Sequence, residues 1–292
     1  MHHGAANRGK QSPLCRVGGF CLGDEEFAFI SQLVRERFGI NLTEAKRALV
    51  ASRLQSLLRE KGMKDFTAYC HYLRADRSGA AIDELVNRIT TNYTFFGREK
   101  DHFDFFANTA LPEAIRRQQK ASRRDLRIWS AACSTGEEAY TLAMLAMETL
   151  GHSYRQWDAG VLATDISARA LATAKAGIYA NESVQGLPAA FRERYFRRLD
   201  DGRWQVRDIL RREVVFRRFN LMNEVFPFKR PFDIIFCRNV MIYFDQTAKE
   251  KLIQRLWQFL EPGGYLFIGH AESLISDNRF AYIKPAIYRR LA

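Results

Sequence analysis

Residues 232–245 read "FDIIFCRNVMIYFD". Phe232, Ile234, Ile235 and Phe236 surround one acid, Asp233. A short run with apolar residues at consecutive positions predicts a strand buried on both faces. Arg238 and Asn239 then interrupt it, before an apolar and aromatic run resumes through Tyr243 and Phe244. In open α/β sheets, ligands meet the residues just past the carboxyl ends of the strands. An Arg-Asn pair at a strand end is therefore a candidate site element, and the chain on either side is read for other strands that end in the same way.

From about Asp125 onward, strands alternate with helices. "DLRIWSAA", "WDAGVLATDI", "FDIIFC" and "GYLFIGH" read as strands, and the tail "YIKPAIYRRL" as a last one. "EEAYTLAMLAMETLG" reads as a helix ending at Gly151, "SARALATAKAGIY" as a helix capped by Ser167, and "QTAKEKLIQRLWQFLEPGG" as a third. This alternation predicts a mostly parallel sheet with helices on both faces. Between Ala180 and Val214 a polar, Arg-rich stretch breaks the rhythm and is read as an inserted subdomain. Upstream, from about Asp24 to Val86, the periodicity is helical. Phe27, Ile30, Leu33, Val34 and Phe38 are spaced by three and four, and Leu49, Leu54, Leu57 and Leu58 form a second stripe between a Thr43 N-cap and a Gly62 C-cap. "DFTAYCHYLRAD" and "AAIDELVNRITTN" add two more helices, giving a small bundle.

The 292 residues suit one large domain or two ordinary ones, and 47% hydrophobic content suits a packed protein. No apolar run approaches the roughly 18 residues of a membrane span. The first twenty residues lack the apolar core of a secretory signal, so they read as a flexible leader and the expected location is the cytoplasm. Cys15, Cys21, Cys70, Cys133 and Cys237 are scattered and form no C-x-x-C pair, so neither a zinc site nor a disulfide framework is expected. The charge of +12 points to an anionic partner or to an ordinary solvated surface, and alone does not choose.

Three strand ends carry polar groups. After the first comes Ala132-Cys133-Ser134-Thr135-Gly136-Glu137-Glu138, small residues before a helix N-terminus. Ser134 with Glu137, and Thr135 with Glu138, also fit a capping box, which explains one Glu without any ligand. After the second comes Asp165, an acid that holds ribose hydroxyls in such folds or simply favours a helix start. After the later strand come Arg238 and Asn239, where the Arg is a ligand contact or a structural ion pair.

Together these segments resemble the chemotaxis receptor methyltransferases of the CheR family, over roughly residues 22–290. The motifs are "TTNYTFFGRE" (90–99), "WSAACSTGEEAYTLA" (129–143), "LATDIS" (162–167), "FNLM" (219–222), residues 232–245 and "LEPGGYLFIGHAESL" (260–274). The resemblance implies a Rossmann-like α/β methyltransferase domain (106–292, with a small β-subdomain inserted at about 185–214). It implies an all-helical N-terminal domain (21–88) and a linker (89–105) that contributes to the active site. It implies S-adenosylmethionine as cofactor, S-adenosylhomocysteine as product, and glutamate carboxylates on the cytoplasmic helices of bacterial chemoreceptors as substrate. Asn92, Thr94 and Arg98 would line the pocket, and Glu137 or Glu138, with Glu138 favoured, would meet the methionine end. Asp165 would bind the ribose, Asn220 and Leu221 flank the adenine, Arg238 and Asn239 close the pocket, and Tyr243 lie near the reacting carboxylate. A monomer without a metal is expected. Two positions depart from the family: Gly97 stands where relatives carry an apolar or aromatic residue, loosening the backbone that holds Arg98, and Ala139 replaces a Pro.

The chemistry suits the residues. A glutamate with a pKa near ~4.3 is ionised at pH 7, so displacement at a sulfonium needs no general base. Positioning carries the load, and the Arg98 fork with Tyr243 offers it. From Lys46 to Lys64, six basic residues face one acid, and Arg53 and Arg59 are candidates for docking a glutamate-rich helix, against an ordinary solvated face. The stretch 192–218, with ten Arg against five acids, is a second candidate surface. Two rivals remain at this stage. A nucleic-acid methyltransferase fits the charge, but Cys237-Arg238-Asn239-Val240 carries neither a D/N-P-P-Y/F element nor a Pro-Cys nucleophile, and Cys237 reads as a strand cysteine. A non-catalytic cofactor-binding module fits Gly97 alone.

Overall fold

The structure, a computed structural model, describes residues 16–17, 19–274 and 277–291. The chain divides into two compact units between Ile89 and Thr90. In the first, strands β1 (Arg16–Val17) and β2 (Phe20–Cys21) pair antiparallel, so part of the segment read as leader is strand, while Cys15 lies outside the described residues. Four helices follow: α1 (Asp24–Phe38), α2 (Arg47–Glu60), α3 (Phe66–Ala75) and α4 (Ala80–Ile89). Their apolar stripes meet in one core of Phe27, Ile30, Val34, Leu54, Leu57, Leu58 and Leu85. Leu49, expected on that stripe, is 46% exposed, because the buried face runs through Val50, Leu54 and Leu57 instead. Thr43 precedes a short 3-10 turn without a side-chain cap, whereas Gly62, with φ +63, closes α2 as expected. Asp65 caps α3 by accepting the Ala68 amide at 2.7 Å.

The second unit opens with α5 (Lys100–Phe105), a π-helical turn, and α6 (Leu111–Lys120). It then alternates β3 (Asp125–Ala131), α7 (Glu137–Leu150), β4 (Asp158–Asp165) and α8 (Ala168–Ala176). Next comes an excursion of β5 (Ile178–Tyr179), α9 (Asn181–Val184), α10 (Ala189–Tyr195), β6 (Phe196–Arg198), β7 (Trp204–Val206) and α11 (Asp208–Arg211). The chain returns through β8 (Val214–Arg218), β9 (Phe232–Cys237), α12 (Gln246–Gln258), β10 (Leu260–Ile268), β11 (Phe280–Lys284) and β12 (Ile287–Arg290). The seven-stranded sheet has the order β11-β12-β10-β9-β3-β4-β8, in which β8, β4, β3, β9 and β10 run parallel and β12 and β11 close one edge antiparallel. From β3 the chain builds outward to β4 and β8, then returns to add β9 and β10 on the other side. The switch point lies between β3 and β9, where the fold places a ligand crevice.

All six residues of β9 are buried, as its continuous apolar run requires. Its one acid is satisfied: Asp233 accepts from Arg117 and Gln118 at 2.8 Å and from the Arg127 amide at 3.0 Å. Phe236 stacks on Phe267 of β10 at 4.1 Å, and Phe103 and Phe106 pack on the same ring.

Four segments differ from expectation. The strand β8 was not expected, because "VVFRR" sits against the Arg-rich stretch and reads as its end. The excursion begins at Ile178 rather than near 185, since β5 joins β7 and β6 in a three-stranded antiparallel sheet. The helix expected to reach Gly264 stops at Gln258, and Leu260 already pairs with Phe232, because Gly264 lies so close to the Asp233 carbonyl that a Cβ there would sit 2.7 Å from it. The tail is two strands, β11 and β12, which turn at Pro285-Ala286, where Ala286 takes φ +61.

Candidate active site

The turn after β3 is built from alternate left-handed residues: Ala132 at φ +68, Ser134 at +51 and Gly136 at +97. Left-handed non-glycine residues are uncommon and cluster at functional sites. Bonds that hold the turn include Cys133 amide to Thr164 carbonyl at 2.9 Å, Ser134 hydroxyl to Asn92 carbonyl at 3.0 Å, and Tyr179 hydroxyl to Thr135 carbonyl at 2.7 Å. A Cβ on Gly136 would lie 2.8 Å from that of Ala174, so only glycine lets α7 approach α8 there. Asp165, at the end of β4, accepts the amides of Ser134 and Ser167, each at 2.8 Å. Burial pushes its carboxyl up, and these amides oppose the shift. An ionised carboxylate has about four acceptor positions, more than these amides use. The Phe219 amide bonds the Asp165 carbonyl at 3.0 Å, which sets Asn220 and Leu221 beside this strand end.

No capping box forms, because the helix N-cap is Gly136 itself. Glu137 is buried, takes the Thr135 hydroxyl at 2.6 Å, and has its carboxyl raised by burial. Glu138 turns the other way, toward the switch point. It accepts from Ser130 of β3 at 2.7 Å and from Arg238 at 2.9 Å.

The side chain of Arg238 is 2% exposed. Its guanidinium reaches Glu138, the Arg98 carbonyl at 2.5 Å and Glu99 at 3.0 Å, and lies over the Phe103 ring. The Arg placed where the core strand ends thus ties β9 to α7 and to the segment carrying Arg98. Asn239 takes φ +56 and donates its side-chain amide to Glu99 at 3.1 Å. Its backbone amide goes to Glu272 at 3.1 Å, and the same carboxylate takes the amides of Gly269 at 2.6 Å and Ile242 at 3.2 Å. Glu272 therefore fixes the loop that presents Tyr243, half-buried in the 3-10 turn Met241–Tyr243.

The segment from Asn92 to Glu99 is anchored by Phe96, whose ring meets Tyr179 at 5.0 Å and Phe196 at 5.5 Å, edge to face. Thr94 and Arg98 are half-buried on it, and Arg98 donates to the Tyr93 carbonyl at 2.8 Å. Gly97 takes φ +79 with open space where a Cβ would lie, so glycine at this position relieves a backbone requirement rather than loosening the segment. The second unit thus gathers Asn92, Thr94, Arg98, Glu137, Glu138, Asp165, Asn220, Leu221, Arg238, Asn239 and Tyr243 on segments that flank the strand ends. Sequence reasoning missed Glu99, Ser130, His102 and Glu272. Glu99, Ser130 and Glu272 stand inside quoted motifs, but an acid beside an Arg, as Glu99 is, reads as an ordinary surface pair until the fold buries it.

The basic run of the first unit is largely committed to its own unit. Arg47 pairs with Asp24 and Glu44, Lys61 with Glu84 at 2.9 Å, and Lys46 donates to the Asn41 carbonyl. Arg53 is half-buried and donates to the Ile89 carbonyl, whereas Arg59 is exposed beside the Phe20 ring. Cys237 is fully buried with its thiol pushed well up, as a strand cysteine should be. No helix among the described residues is long and apolar enough to cross a membrane.

A doubly wound sheet with polar groups gathered at its switch point defines an α/β protein that binds a nucleotide-like cofactor. Residues 92–288 match the CheR methyltransferase, SAM binding domain, and residues 25–90 the CheR methyltransferase, all-alpha domain. The chain belongs to the CheR methyltransferase family, and its cofactor is S-adenosylmethionine. It is 41% identical over 266 residues to a chemotaxis protein methyltransferase of Borreliella burgdorferi, covering 91% of this chain and 94% of that one. It is 39% identical over 271 residues to that of Escherichia coli, covering 91% of each. The residues fit the cofactor: at the end of β4 the Asp165 carboxylate accepts two backbone amides and keeps acceptor positions of the kind ribose hydroxyls need.

Proposed function

We propose that the protein transfers a methyl group from S-adenosylmethionine to glutamate carboxylates on the cytoplasmic helices of chemoreceptors, giving glutamyl methyl esters. The observation that carries this reading is the Arg98 segment, held by Arg238 against the strand ends of a methyltransferase sheet. When bound, the cofactor supplies an electrophilic methyl group on a sulfonium. Asp165 holds the ribose hydroxyls, Asn220 and Leu221 flank the adenine, and Glu138 serves the methionine end with Asn92 and Thr94 along the pocket. The substrate carboxylate is ionised at pH 7 and needs no base. Arg98 and Tyr243 orient it, and orientation is the main source of rate in such a displacement. A grip that is too tight would quench the nucleophile, so one guanidinium edge and one hydroxyl suffice.

The test is transfer of labelled methyl from S-adenosylmethionine to a chemoreceptor cytoplasmic fragment, followed by mild base. The expected result is label that base releases, the mark of a carboxyl ester, and a turnover about 100-fold lower in Arg98→Ala with cofactor binding retained. Base-stable label or none would overturn the assignment. Near-normal turnover by Arg98→Ala would overturn the role given to that residue.

A further inference from the structure

Arg98 stands between two left-handed residues, Gly97 at φ +79 and Glu99 at φ +57. Glycine adopts that conformation without cost; a glutamate does so only when its surroundings hold it. What holds Glu99 is a set of side chains from another part of the chain. One carboxylate oxygen lies 3.0 Å from Arg238 Nη2, and the other accepts the Asn239 amide at 3.1 Å. Burial alone would raise the Glu99 carboxyl, but the Arg238 charge and these hydrogen bonds outweigh it and leave it below the usual carboxylate value. Beneath it lies His102, fully buried, its Nδ1 3.3 Å from Glu99 and neither ring nitrogen hydrogen-bonded. His270 brings a second imidazole to within 4.8 Å of this pair, but the carboxylate it would share is already committed to Arg238 and Asn239. The same Arg238 that binds the Glu99 side chain also takes the Arg98 carbonyl. The peptide on one side of Arg98 is thus pinned twice, and Arg238 is braced from behind by Glu138 and Ser130.

We propose that Glu99 is a positioning residue for the methyl transfer: with Arg238 it forms a buried clamp that fixes the backbone of Arg98 and so aims its guanidinium at the substrate carboxylate. This rests on the reading of Arg98 given above. Both Glu99 carboxylate oxygens are engaged by Arg238 and Asn239, so Glu99 acts through the Arg98 backbone. A misplacement of about 1 Å costs a reaction of this kind about 100-fold, which is the scale of loss expected when the clamp is cut.

The test is a double-mutant cycle with Glu99→Gln and Arg98→Ala, using the full chain, S-adenosylmethionine and a receptor fragment. Glu99→Gln should lower kcat about 30- to 100-fold while cofactor Kd changes less than about threefold. In the Arg98→Ala background the same substitution should cost less than about threefold more, because residues acting as a unit are non-additive. Glu99→Asp, which keeps the charge but draws it back, should fall between wild type and Glu99→Gln, and it serves if Glu99→Gln does not fold. Full additive loss on top of Arg98→Ala, by either variant, would mean that Glu99 supports the fold generally and would overturn the proposal alone. Near-normal kcat in Glu99→Gln would also overturn it. Near-normal kcat in Arg98→Ala would remove the reading of Arg98 and the proposal with it, a result that the single variant distinguishes.

Discussion

His102 shows what burial does to one side chain. It is fully inaccessible, and burial first, then the Arg238 charge, depress its pKa to about 4; Glu99 and Asp101 pull only weakly the other way. The imidazole is neutral in the folded protein at pH 7. Unfolded, it titrates near 6.5, so between pH 6.5 and 4 the unfolded chain binds a proton that the folded one refuses. Stability is therefore full above pH 6.5 and falls as the pH drops toward 4. Asp165, Glu137 and Glu272, all raised by burial, act in the opposite sense. A His102→Gln variant keeps those groups and loses the imidazole. Its urea midpoint is expected to decline less than that of wild type over this range, and equal slopes would show that His102 protonates as readily folded as unfolded.

At the scale of elements, the active site depends on how closely two loops approach. The loop after β9 and the one after β10 share Glu272, and Gly269 lies against Asn239. A Cβ on Gly269 would come within 2.4 Å of the Asn239 side-chain nitrogen, 2.8 Å of its amide and 3.0 Å of Glu272. Gly269→Ala must push these loops apart. The expected cost is about 1–3 kcal/mol in denaturant unfolding, together with a loss of turnover, since the same loop carries Tyr243. A variant with unchanged stability and turnover would show that the loops have room. The strand β9 is buried on both faces and its one acid, Asp233, is spent on Arg117, Gln118 and the Arg127 amide, so the first position where it can present a polar group to the strand ends is the one after Cys237.

For the whole molecule, the charge of +12 is distributed more soberly than the sequence indicates. In the Arg-rich stretch, Arg194 pairs with Glu148, Arg203 with Asp201, and Arg207 donates to the Phe196 carbonyl. In the first unit Arg53 and Arg59 separate into different tasks. Arg53→Ala is expected to cost about 1 kcal/mol of stability, the net worth of a hydrogen bond, because the Ile89 carbonyl loses its donor. Arg59→Ala should leave stability within about 0.5 kcal/mol and raise KM for a receptor fragment about two- to fivefold, an effect that fades as salt rises. A KM for Arg59→Ala that matches wild type at low salt would remove Arg59 from the docking surface.

Much of this protein was decided locally and is legible in the residues. The switch from 3.6-residue to strand periodicity marks the two kinds of unit, the apolar run 232–237 marks a central strand, Ser167 marks a helix start, and the motifs of the CheR family mark the cofactor and the reaction. These features follow from neighbours within a turn or a strand, which periodicity reports. What the chain order does not contain is which distant groups meet. Arg238 and Glu99 are 139 residues apart, and Glu272 holds the amide of Asn239 from 33 residues away. An acid of this kind reads as surface until the sheet brings β9, β10 and the Arg98 segment together and removes the water. Only then does the need to pair every buried charge and amide turn Glu99 and Glu272 into parts of the site.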